Sequence, residues 1–116
     1  MSNEMQKLLN AISMCRRAGK LAVGYDAVIK LLDANSAQLV LFASDFSATT
    51  REKIISRTKQ KKAKLRILPL TMDDIWFGMG KRSGILATGD INFAAMIAKA
   101  ADNASEGGEI EYGDSI

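Results

Sequence analysis

Apolar positions along the chain recur in nine short blocks whose spacing alternates between helical and strand-like. Met5, Leu8, Leu9, Ile12 and Cys15 follow one another at intervals of three and four, which puts them on one helix face. Asn3 and Gln6 suit a capping-box-like start, and Ala18-Gly19 suits the end, with Gly19 just past the last turn. Lys20-Leu21-Ala22-Val23 reads as a short strand that Gly24 breaks. Asp26 is the predicted cap of a second helix running through Ala34, with Val28, Leu31 and Leu32 inward. Asn35-Ser36 turns the chain, and the unbroken apolar run Leu39-Val40-Leu41-Phe42-Ala43 reads as a strand covered on both faces.

Asp45 and Ser47 then open a third helix over Ala48 to Gln60, with Ile54, Ile55 and Thr58 inward and the basic residues outward. Leu65-Arg66-Ile67-Leu68 is the next strand, closed by Pro69, the only proline. Thr71 and Asp74 have capping-box spacing before a short helix that carries Ile75, Trp76 and Met79. Gly78, Gly80 and Gly84 bracket a basic loop, Lys81-Arg82-Ser83. Ile85-Leu86-Ala87-Thr88 is the last strand, and Gly89-Asp90 leads into an Ala-rich helix from Ile91 to about Ala101, with Ala94, Ile97, Ala98 and Ala101 inward. Five helices alternating with four strands predict a central sheet with helices on both faces. No internal repeat or linker interrupts the pattern.

Composition narrows this to one compact domain: 116 residues, 47% hydrophobic and 25% charged, enough to bury a core without staples. A single cysteine excludes an intramolecular disulfide, and the absence of His excludes Cys/His zinc spacing. No metal or cofactor is expected. The apolar runs are far shorter than the roughly 18 residues of a spanning helix. The N-terminus lacks the basic and apolar regions of a signal peptide, so a cytoplasmic setting is expected and no membrane partner.

Charge is unevenly divided. All sixteen Lys and Arg lie before Asp102, alongside eight acids, while residues 102–116 hold five acids and no base. Eight of the sixteen fall between Arg51 and Arg66. A body this basic points to a polyanion, nucleic acid ahead of a membrane surface. A solubilising helix face accounts for the basic run equally well. The domain is therefore expected over residues 1–101, followed by an acidic, disordered tail over 102–116.

Catalytic signals are poor. Asp73-Asp74 is the only adjacent acidic pair, and it sits in a first helical turn where the dipole favours carboxylates. Cys15 lies beside Arg16 and Arg17, a setting that can lower a thiol pKa, but its inward position suits a small core hydrophobe. The run Gly78 to Gly84 fails the P-loop pattern, because Ile75 stands where the first Gly belongs and Arg82 where Ser or Thr must follow Lys. It follows a helix and precedes a strand, so it fails the dinucleotide pattern too. Small residues flanking Lys81 and Arg82 still suit close approach of a phosphate, or an ordinary tight turn. Gly24-Tyr25-Asp26-Ala27-Val28-Ile29-Lys30 is a second loop-to-helix junction with N–H donors for an anion, and Lys30 lies one turn beyond Asp26.

Taken in order, Leu8-Leu9, Arg16-Arg17-Ala18-Gly19-Lys20-Leu21, Gly24, Lys30 and Ala37 to Asp45 resemble the bacterial YlxQ-type proteins. So do Thr49-Thr50-Arg51-Glu52-Lys53-Ile54, Gly80-Lys81-Arg82-Ser83, Leu86 to Asp90 and Phe93-Ala94. These belong to the ribosomal-protein family that binds kink-turn RNA, with archaeal and eukaryotic relatives in ribosomes, snoRNPs and spliceosomes. The resemblance spans about Asn3 to Ala101. It implies an α/β fold, a single-domain three-layer α/β/α sandwich on a four-stranded mixed sheet. It also implies an RNA face built from a G-x-N-E-x-x-K turn and the loop before the last strand. Gly24 and Lys30 match that motif, and Lys81, Arg82 and Ser83 fall in the second loop. Asp26 and Ala27 stand where the motif has Asn and Glu: the first keeps an acceptor but loses the amide donor, and the second makes no polar contact.

The expectation is a non-enzymatic RNA-binding protein, monomeric, whose partner is structured RNA: ribosomal RNA, a regulatory leader or the ribosome itself. Lys20, Gly24, Tyr25, Asp26, Lys30, Lys81, Arg82 and Ser83 are the expected RNA-binding residues: the Lys and Arg side chains clamp phosphates, Gly24 permits close approach, and Tyr25 and Asp26 meet bases. The alternative is a protein–protein adaptor on the same fold with only non-specific RNA affinity, for which Trp76-Phe77 is the exposed contact.

Overall fold

In the computed structural model, which describes residues 2–105, the chain forms α1 (Asn3–Arg17), β1 (Leu21–Val23), α2 (Tyr25–Asp33), β2 (Leu39–Phe42), α3 (Ala48–Thr58), β3 (Lys64–Ile67), α4 (Met72–Met79), β4 (Ile85–Thr88) and α5 (Ile91–Ala104). The strands make one sheet in the order β1-β4-β2-β3. β2 and β3 are parallel, whereas β4 runs antiparallel to both β1 and β2. β1, β2 and β3 therefore all point toward one end of the sheet, and β4 starts there.

Strand alternation divides the core in two. Leu39, Leu41 and Leu86 face α1, α4 and α5, where they pack with Leu8, Ile12, Ile75 and Ile97. Val40, Phe42, Ile85 and Ala87 face the other way, onto Val28 and Leu32 of α2 and Ile54 and Ile55 of α3. Both central strands are buried along their whole length, as their unbroken apolar sequences require. The result is the mixed-sheet, three-layer sandwich expected above: three helices on one face, two on the other.

Several boundaries differ from the sequence reading. The cap of α1 is Ser2, whose Oγ accepts from the Met5 N–H at 3.1 Å, while the Gln6 side chain reaches forward to Asn10 instead of back to Asn3. Gly24, not Asp26, caps α2, so Asp26 lies inside the first turn. Ser47 caps α3, but Asp45 serves another helix, accepting from the Met72 N–H at 2.9 Å. α3 stops at Thr58, two residues short of the expected Gln60. Leu31 and Ala98, expected inward, are only partly buried.

The largest departure is at the C-terminal end. α5 continues through Asp102 to Ala104, and Asp102 Oδ1 accepts from Arg66 Nε on the edge strand at 2.9 Å. Asp102 thus belongs to the folded body rather than to an acidic tail. The rest of that expected tail lies outside the described residues. No described helix is long and apolar enough to cross a membrane. Cys15 is fully buried in the α1 core cluster, and that burial pushes its thiol pKa up, the opposite of an activated nucleophile.

Candidate nucleic-acid interface

Four loops meet at the sheet end where β1, β2 and β3 finish. β1 leads into Gly24, whose backbone lies at φ +96° and ψ +164°, a region open essentially to glycine alone. Its N–H donates to the Ile85 carbonyl at 3.0 Å, and its own carbonyl accepts from the Val28 N–H at 3.1 Å. The Ser83 hydroxyl donates to the same Ile85 carbonyl at 2.9 Å and accepts from the Ile85 N–H at 3.3 Å. One carbonyl oxygen therefore ties the α2 junction to the loop before β4.

The other two loops brace this pair. Gly84 accepts from the Ala43 N–H at 2.9 Å, and a Cβ on Gly84 would stand 2.3 Å from Phe46 Cδ1, so only glycine lets the second loop close down on Phe46. Phe46 is in turn stacked on Phe42 with ring centroids 6.0 Å apart. Ser44 donates its N–H to the Leu70 carbonyl at 2.8 Å, linking the loops after β2 and β3.

The amino ends of α2, α3 and α4 all open at this end, and a helix amino end attracts anions where its N–H groups are left unsatisfied. Ser47 caps α3, and Thr71 with Asp74 forms the expected capping box on α4. α2 has no side-chain cap, and nothing lies within 4 Å of where a Gly24 Cβ would sit. Its first turn therefore has no side-chain acceptor, and the space over Gly24 is open.

Around this opening the structure gathers most of the expected residues. Tyr25 and Asp26 occupy the first turn of α2, Tyr25 44% exposed, and Lys30 is exposed one turn further on. Neither Asp26 nor Lys30 pairs with any described residue. Lys81 is exposed, as is Arg82, whose Nε lies 3.0 Å from Asp73 Oδ1. Ser83, expected among the RNA-binding residues, is instead buried with its hydroxyl committed to Ile85, so it fastens the loop.

Lys20 is the exception. The register pairs Leu21 with Thr88 and Val23 with Leu86, so Lys20 precedes β1 while Gly24 follows it. Four strand rises of about 3.3 Å put the two roughly 13 Å apart. Lys20 belongs instead to a hollow at the far end, lined by Gly19, Leu31, Gly89 and Asp90. Sequence proximity to Gly24 conceals this, because a strand carries its two termini to opposite ends of the sheet.

Of the bracing residues, Phe46 is not singled out in the sequence, and Asp45 is read there only as opening α3. The one local signal was Gly84, a small residue at the entry of a buried strand. Arg51 was likewise absorbed into the basic run, yet it is half-buried, and its Nε is buried without a hydrogen-bond partner among the described residues. No cluster of three metal-ligating side chains occurs among the described residues.

The model of the Ribosomal protein L7Ae/L30e/S12e/Gadd45 family matches residues 6–69, more than half of the chain. The chain belongs to that family. The matched segment of this L7Ae/L30e/S12e/Gadd45 domain runs from α1 to Pro69 and so includes the α2 junction; the second loop lies beyond it. Among solved structures, a protein of unknown function from Bacillus halodurans superposes with a TM-score of 0.76 at 20% identity, over 84% of this chain and 98% of that one. A 15.5kD RNA binding protein from Giardia lamblia gives 0.67 at 13% identity, over 91% of both chains. At these identities the likeness is one of fold. No curated protein sequence matches the chain.

Proposed function

We propose that this family member is a non-enzymatic RNA-binding protein that holds a sharply bent internal loop of structured RNA, of the kink-turn kind, in ribosomal RNA or a regulatory leader. The observation that carries the reading is the shared Ile85 carbonyl, which fixes an uncapped helix terminus beside a loop tipped with Lys81 and Arg82. Membership of a ribosomal-protein family and the fold shared with an RNA-binding protein support it.

In this reading the first-turn N–H groups of α2 meet one phosphate at the bend, with Gly24 admitting the backbone closely. Lys30, Lys81 and Arg82 neutralise its neighbours. Tyr25 stacks on a base, and Asp26 accepts from a guanine edge. Lys20, at the far end of β1, meets the same RNA only where a strand runs on to that end of the sheet. The protein does no chemistry: it binds the bent conformer better than the straight one and shifts the RNA population by that difference.

The test is a titration against a bent duplex with tandem G·A pairs and against the same duplex with those pairs replaced, at several salt concentrations. Binding that depends on the G·A pairs is expected. Equal, steeply salt-dependent binding to both would reduce the site to a basic surface. Binding to neither favours the adaptor reading, to which Asp26 and Ala27 at the motif positions and the exposed Trp76 and Phe77 lend weight.

A further inference from the structure

α4 is only eight residues long, yet it is fastened at both ends and along one side. The Thr71–Asp74 capping box holds its start, and Gly80, left-handed at φ +82°, closes its end with an N–H bond to the Trp76 carbonyl at 2.8 Å. Arg16 reaches across from α1 and donates to the Met79 carbonyl at 2.8 Å. Gly78 is pressed onto α1 so tightly that a Cβ would stand 2.6 Å from Leu9 Cδ2. Ile75 and Met79 point into the core, leaving Trp76 51% and Phe77 82% exposed, with ring centroids 5.4 Å apart. A surface helix held this firmly is expected to carry polar residues outward, so two adjacent exposed rings call for a ligand.

The surroundings of the rings say which kind. Asp73 precedes Trp76 by three residues and Phe77 by four, so it shares their face of the helix. Arg82 Nε sits 3.0 Å from Asp73 Oδ1, which keeps the guanidinium on that same face, and Lys81 precedes it in the loop of the candidate interface. Rings offer a flat apolar surface to a base, and adjacent cations meet the phosphates on either side of it. An apolar protein segment would have no use for the charge.

We propose that Trp76 and Phe77 form a stacking platform for an unpaired nucleobase in the strand that leaves the bent element. The inference rests on the RNA-binding reading above and extends the interface from the Lys81–Arg82 loop onto α4. Stacking of this kind tolerates any base and adds about tenfold or more in affinity per base.

Trp76 is the only tryptophan, so its fluorescence reports the contact directly. The full chain is titrated with a labelled G·A-containing bent duplex, with and without a four-nucleotide single-stranded extension. Anisotropy reads binding and Trp76 emission reads stacking. Both RNAs are expected to bind, with only the extended one quenching Trp76 and binding about tenfold tighter. Phe77→Ala, which keeps the reporter, should reduce that advantage, and Trp76→Ala with Phe77→Ala should abolish it while leaving the far-UV spectrum and the affinity for the blunt duplex unchanged. If the blunt duplex binds but the extension adds neither affinity nor quenching, the platform is overturned and the RNA-binding reading stands. If neither RNA binds, both fall.

Discussion

Gly24 has a backbone conformation that a side chain strains and an open space that a side chain does not fill. Gly24→Ala is therefore expected to cost about 1–3 kcal/mol through strain alone, seen as a lower urea midpoint with an unchanged slope. Cys15 makes a different prediction. Its burial raises the folded-state pKa, so as the pH climbs past the unfolded thiol's value of about 8.5 the unfolded chain loses its proton first. The folded state then holds more protons than the unfolded one, and stability from this source falls with rising pH. The advantage of the wild type over Cys15→Ala should shrink in alkaline buffer, which urea titrations at pH 7.5 and 9.5 would show. Below the unfolded pKa that advantage is complete.

Among the elements, those written in hydrophobic spacing were legible in the sequence: all nine appear in order, with Leu8, Ile12, Val28, Leu32, Ile54, Ile75 and Ile97 buried as their periodicity demands. What local reasoning misplaced were ends that distant partners decide. α2 begins at Tyr25 because Gly24 is pinned to Ile85, some sixty residues away, and Asp45 looked like a cap only because its true partner, Met72, is remote in sequence. α5 outran its expected end for the same reason, since Asp102 is held by Arg66 of β3. The Arg66 side chain is 9% exposed and that of Asp102 33%, so this pair is screened less than a surface bridge. Asp102→Ala should cost about 1–2 kcal/mol, measured as a shift of the urea midpoint, and Asp102→Glu should recover part of it.

For the whole molecule, β1, β2 and β3 run in one direction with helices following them, and this places three helix amino ends and the Lys81–Arg82 loop together. The Gly24 and Lys81–Ser83 segments were legible as loops, but that they share one acceptor was not, because it depends on β4 lying beside β1. Lys30→Ala is expected to weaken RNA binding and to flatten the plot of log affinity against log salt by about one charge-equivalent, with the fold unaltered. An unchanged slope would remove Lys30 from the interface. The strand order has a consequence for synthesis. Among the described residues, the only neighbour of β1 in the sheet is the last strand, β4, so a chain still emerging from the ribosome carries the α2 junction without the partner that fixes it. The proposed grip on RNA is then completed only when β4 slots between β1 and β2, and chains cut short before that strand lack the shared carbonyl that ties its two loops together.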